Sequence, residues 1–125
     1  MRQRFVVGAA AWLEILVGAL FLTVPDVLCL LLFGARPEAI GVPLGRFAGI
    51  ALVALGFACL PSRDTGSRRN VVLGLFAFNA GVGILFACVG VASALHGFLL
   101  WPAVILHTII AGALLPHFLA KGSIN

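Results

Sequence analysis

Residues 5–24 read FVVGAAAWLEILVGALFLTV, and this stretch decides the architecture. It is twenty residues long, holds one charge, Glu14, and stops at Pro25. A helix of about 20 apolar residues crosses the roughly 30 Å of bilayer hydrocarbon. Three comparable runs follow. The first covers about 41–60, with Arg46 near its start and Pro61 after it; the next is 71–92, with no charge; the last is about 98–119 and contains His107. These runs are continuous, unlike the shorter alternating strands of an outer-membrane barrel. Backbone groups in lipid must then be satisfied inside helices. The expected fold is all-α, a four-transmembrane-helix bundle forming one integral membrane domain over residues 1–125.

Composition points the same way. Apolar residues make up 62% of the 125 and charged residues 10%, against roughly 45–50% and 25% in soluble proteins. A chain this short leaves much of its surface exposed. Eight Lys/Arg and four Asp/Glu are too few to hold so apolar a surface in water, so the lipid bilayer is the expected surrounding. The net charge of +4 does not indicate nucleic acid, because the basic residues sit at the ends of apolar runs and form no aromatic-interleaved patch. Cys29, Cys59 and Cys88 are isolated, with no C-x-x-C, which excludes a zinc ribbon or a redox dithiol motif. Cys29 and Cys88 fall toward the same membrane face, where either a disulfide or two free thiols is compatible with the spacing.

Residues 26–35, DVLCLLLFGA, are apolar but too few to span. Pro25-Asp26 has the form of a helix start, and Gly34 followed by Pro37 that of a stop. The segment therefore reads as a short interfacial or re-entrant helix between the first two spans. A first helix that kinks at Pro25 and continues is the alternative. Residues 62–70, SRDTGSRRN, form the one strongly polar stretch and are expected to be a loop. Arg2 and Arg4 precede an apolar core of twenty residues, longer than the 7–15 of a signal peptide and without an A-x-A site, so it reads as the first span. Arg2, Arg4, Arg63, Arg68, Arg69 and Lys121 fall on one side of the expected membrane and Arg36 and Arg46 on the other. The positive-inside rule then places both termini in the cytoplasm.

Four polar residues share one depth. Glu14 is the tenth residue of its run, Asn79 the ninth, and His107 and Thr108 the tenth and eleventh. At 1.5 Å per residue these groups lie within a few ångström of a common level. Residues three and four positions from Glu14 are Ala10, Ala11, Val17 and Gly18, and from His107 they are Ala103, Val104, Ile110 and Ala111. Small residues permit close helix approach in lipid, so both faces are expected to turn inward. Asn79 lies among the bulkier Leu75, Phe76, Val82 and Gly83, a setting compatible with a cavity. Arg46 starts about 7 Å from the midplane, from where its side chain can bend toward Glu14 or snorkel to headgroups.

An ionised acid at a helix centre costs about 2.5–3.5 kcal/mol of insertion free energy, while the eleven Leu, Ile, Val and Phe of the first run return about 3–7 kcal/mol. Insertion is feasible, but Glu14 needs a partner or a proton, which makes it a candidate proton-exchanging group. Glu14, Arg46, Asn79, His107 and Thr108 are thus the candidate ligand-binding or proton-exchanging residues. The competing structural reading is a hydrogen-bond network that only fixes helix packing. Gly41, Gly45 and Gly49, at four-residue spacing, form a flat stripe for helix packing. Trp12 reads as a packing residue and Trp101-Pro102 as an interfacial anchor. His96 and His117 fall near helix ends. His107 and His117 are ten residues apart and about 80° out of register on a helix, so no two-histidine haem site is evident. No metal site and no cofactor is indicated.

Two resemblances bear on this reading. The succession of a spanning helix, VPDVLCLLLFG at 24–34, PLGRFAGIALVALGFACL at 43–60 and two further helices resembles the DoxX-like group of small bacterial membrane proteins. That resemblance implies a compact four-helix bundle in the inner membrane and assigns no catalytic residues. AAWLEILVGAL at 10–20 is similar to the first helix of small multidrug-resistance transporters, whose membrane glutamate exchanges protons for cationic drugs. The later tryptophan and glycine patterns of those transporters do not occur here, and the one-sided arginines disfavour their antiparallel dimers. The expectation is an inner-membrane protein that binds a lipophilic ligand or partner subunit at the midplane layer, alone or within a homo-oligomer or larger membrane complex. Proton-coupled transport through Glu14 is the first alternative. An enzyme acting on a lipid or quinone, with Glu14 and His107 as acid and base, is the second.

Overall fold

The computed structural model describes the backbone of residues 2–60 and 65–119, and the side chains of 4–60 and 69–116. The described residues are helical, in the order α1 (Arg2–Thr23), α2 (Pro25–Phe33), α3 (Gly41–Cys59), α4 (Thr65–Ala92) and α5 (Leu100–Leu119). Arg63, Lys121 and residues 62–64 of the expected loop lie outside the described residues, as do the side chains of Arg2, Arg68 and His117. Three helices, over Arg4–Thr23, Gly41–Cys59 and Arg69–Ala92, are long and apolar enough to cross a bilayer, and α5 adds a shorter apolar stretch over Leu100–Pro116. Residues 65–70, expected in the loop, instead form the first turns of α4. The polar residue types of this stretch fit a helix that continues past the apolar run.

Proline and glycine set the break after α1. Val24 adopts φ −134° and ψ 55°, Pro25 takes the first turn of α2, where a missing N–H is harmless, and Gly34 closes α2 in the left-handed region at φ 72°. The segment is therefore a separate helix rather than a continuation of α1. At nine residues it is about 13 Å long, too short to span. Its end is held by the loop before α5: the Gly97 and Leu99 amides donate to the Leu32 and Leu31 carbonyls at 3.1 and 2.7 Å. A Cβ at Gly97 would overlap those carbonyls, and one at Gly34 would come within 2.7 Å of the His96 carbonyl oxygen. Asp26 and Arg36 form an exposed ion pair at 2.9 Å beside this contact.

Helices α1 and α3 form one close pair and α4 and α5 another, with sparser contact between the pairs. Backbone approach through glycine explains the first pair. A Cβ at Gly49 would stand 2.7 Å from the Gly18 oxygen and 2.9 Å from the Leu22 nitrogen, and one at Gly56 would stand 2.7 Å from the Ala11 oxygen. Gly45 faces Pro25 and Phe21. Gly41 does not join the stripe, because a Cβ there would meet Pro37 of its own approach loop. The stripe runs instead through Gly45, Gly49, Leu52, Gly56 and Cys59, all buried.

The two pairs meet at one end, where Val7, Ala11, Cys59, Val72, Leu75 and Leu114 form a shared core. Many large apolar side chains point outward, among them Phe5, Phe47, Ile84 and Ile109 at 77, 70, 67 and 62% exposure. Trp12, expected to pack, is 63% exposed and belongs to this outer girdle. Small residues at the α1–α3 contact and large apolar side chains on the outer surface are what lipid, rather than water, accommodates.

Candidate functional site

Above the shared core, side chains from three helices converge. Glu14 on α1 and Asn79 on α4 are 1% and 0% exposed. Asn79 donates from Nδ2 to the Leu75 carbonyl at 2.9 Å, one turn earlier on its own helix. That bond fixes the amide orientation and directs Oδ1 to Nδ1 of His107 on α5, 2.7 Å away. Because Oδ1 only accepts, Nδ1 carries the hydrogen. The Glu14 side chain lies beside the Asn79 amide. Glu14 Oε1 has no hydrogen-bond partner and is buried. The result is a chain of polar groups, acid to amide to imidazole, crossing from one helix pair to the other.

The remaining two candidates lie elsewhere. Arg46 is exposed; it sits one residue, or 100°, round from the buried Gly45, and so faces away from Glu14. Thr108 is exposed and donates its hydroxyl to the Val104 carbonyl at 2.8 Å. It lines an outer groove between α4 and α5, against Gly83, rather than the polar layer. All three cysteines are free, Cys88 being exposed, Cys59 buried and Cys29 between the two. No group of three metal-ligating side chains occurs among the described residues.

Beside the layer, a crevice of about 380 Å³ separates the two helix pairs. Phe21, Phe33, Leu52, Phe78 and Phe86 supply most of its bulk, and His107 is the one lining residue with a hydrogen-bonding side chain. Phe78 and Phe86 meet the imidazole edge-on, with centroids 6.1 and 6.2 Å away, and Phe33 of α2 packs edge-on against Phe86 at 5.6 Å. A smaller void of about 200 Å³, between α1, α2 and α5, also touches His107. The aromatic wall was not among the features expected from the sequence. Its signal was the spacing of Phe78, Val82 and Phe86, each four residues apart and hence on one helix face.

No family model, curated protein or solved structure matches this chain.

Proposed function

We propose that the protein is a four-span integral membrane protein that holds a lipophilic molecule in the crevice between its helix pairs, with the Glu14–Asn79–His107 chain as the polar end of the site. The observation that carries this reading is the crevice itself: an aromatic-walled space beside a single imidazole that is tied back to a buried amide, with a buried acid next to it. A space of that size falls within the roughly 300–1,000 Å³ typical of small-molecule sites, which are mostly apolar with a few fixed polar groups. A network that only fastened helices together would need no such opening beside it. The arginine bias supports an inner-membrane orientation with both termini in the cytoplasm, and the DoxX-like pattern supports the same placement.

Native mass spectrometry from nanodiscs tests the reading. The wild-type protein is expected to retain a lipophile at a fixed ratio to protein. Ala48→Phe, which fills the crevice from α3, is expected to lose it while keeping the helical signal in circular dichroism. Equal retention by both proteins, or retention by neither, would contradict the proposal.

A second reading, proton-coupled transport, has the unpartnered Glu14 Oε1 in its favour, since buried ionisable groups in spanning helices mark proton pathways. It requires gradient-driven uptake into vesicles that Glu14→Gln abolishes. Ligand retention without such uptake supports the binding role instead.

A further inference from the structure

Given that the crevice is a lipophile site, as proposed above, its one polar group decides what kind of lipophile it takes. His107 is the one lining residue whose side chain forms hydrogen bonds, so its free nitrogen decides which head group can be satisfied there. Nδ1 is committed to Asn79 Oδ1 at 2.7 Å. Asn79 cannot turn over to change that bond, because Nδ2 is held by the Leu75 carbonyl at 2.9 Å and a flipped amide would set two oxygens against each other. The neutral ring is therefore the Nδ1–H tautomer, and Nε2 presents a lone pair. The one side-chain hydrogen bond of His107 among the described residues is that of Nδ1. Edge contacts from Phe78 and Phe86 hold the plane of the ring.

We propose that the crevice selects a lipophile whose head group donates a hydrogen bond, such as an alkylphenol or a medium-chain alcohol, and that His107 Nε2 accepts it. An ether, ester or ketone of the same shape brings a lone pair to a lone pair and leaves both groups buried and unpaired, the arrangement apolar sites reject most strongly. The size of the space, about 380 Å³, suits a ring with a single alkyl chain rather than a two-tailed phospholipid. Asn79 is the positioning residue, since it sets the tautomer without lining the crevice.

The test compares 4-nonylphenol with its methyl ether, 4-nonylanisole, on the full-length protein in nanodiscs, with empty nanodiscs as the partition control. The phenol is expected to bind about tenfold more tightly, the equivalent of one net hydrogen bond. In His107→Phe the two affinities are expected to converge, with wild-type helical content in circular dichroism as the sign that the variant is folded. Phenol addition is also expected to shift the ¹⁵N resonance of Nε2 more than that of Nδ1, a readout independent of any variant. Equal affinity of both compounds for the wild-type protein would overturn the donor selectivity and leave the crevice reading standing. A preference that survives in His107→Phe would overturn the role of Nε2. Binding of neither compound above the empty-nanodisc level would overturn both the selectivity and the underlying reading.

Discussion

Asn79→Leu is expected to lower stability by about 2–4 kcal/mol, although leucine is close in size and suits an apolar helix. The magnitude follows from the groups left behind. An interhelical hydrogen bond in a membrane protein averages about 0.6 kcal/mol and reaches about 1.7, so the lost bonds alone would be modest. Without the amide, however, the His107 Nδ1–H is left unpaired and the buried Glu14 carboxyl loses its polar neighbour. Each stranded polar group costs about 1–3 kcal/mol, and this term dominates. The sign reverses when the whole chain of groups is removed. A Glu14→Leu, Asn79→Leu, His107→Phe triple variant replaces every member with an apolar side chain and is expected to recover most of the loss, while binding no donor lipophile. Reversible unfolding in mixed micelles measures both proteins. A triple variant less stable than Asn79→Leu would show that the layer holds the helices together through its own bond energies.

Gly49→Leu is expected to do more damage, about 3 kcal/mol or beyond. Overpacking typically costs about 1–3 kcal/mol when side chains can rearrange. Here they cannot, because the added Cβ already meets backbone atoms of Gly18 and Leu22 at 2.7 and 2.9 Å. Relief requires α1 and α3 to separate along their length. Glu14 and Leu52 ride on those two helices, so the polar chain and the crevice wall should be lost together. Gly74→Leu is the control: a Cβ there meets nothing within 4 Å, and stability should stay near wild type. Comparable losses in both variants would mean that glycine content, not the α1–α3 approach, sets stability.

The parts of this structure that were legible in the sequence are those with a one-dimensional signal. Apolar runs of spanning length locate the long helices, and Pro25 and Gly34 mark the ends of α2, because both residues act on the backbone where they stand. Glu14, Asn79 and His107 could be placed at one depth by counting rise per residue. Rotation was harder to read. These helices are apolar nearly all round, so no amphipathic stripe says which side faces in. Arg46, Thr108 and Trp12 therefore fell on outward faces that residue spacing did not reveal. Gly45 and Gly49 gave a real clue to rotation, but Gly41 and Gly56 could not be sorted without knowing that α3 docks on α1 while Pro37 occupies the space at Gly41. The crevice was least legible, because its wall is shared among α1, α2, α3, α4 and α5, and depends on how the two helix pairs meet, which no single run of sequence reveals.

Solid-state NMR of the protein in lipid, with ¹⁵N-labelled histidine and asparagine at mildly alkaline pH, bears most directly on the buried chain of acid, amide and imidazole. The expected spectrum has His107 protonated at Nδ1 and bare at Nε2, with magnetisation passing from the Nδ1 proton to the Asn79 side chain and from there to the Glu14 carboxyl. A His107 ring protonated at Nε2 without contact to Asn79, or a Glu14 carboxyl whose cross-peaks lead to lipid acyl chains, would contradict it.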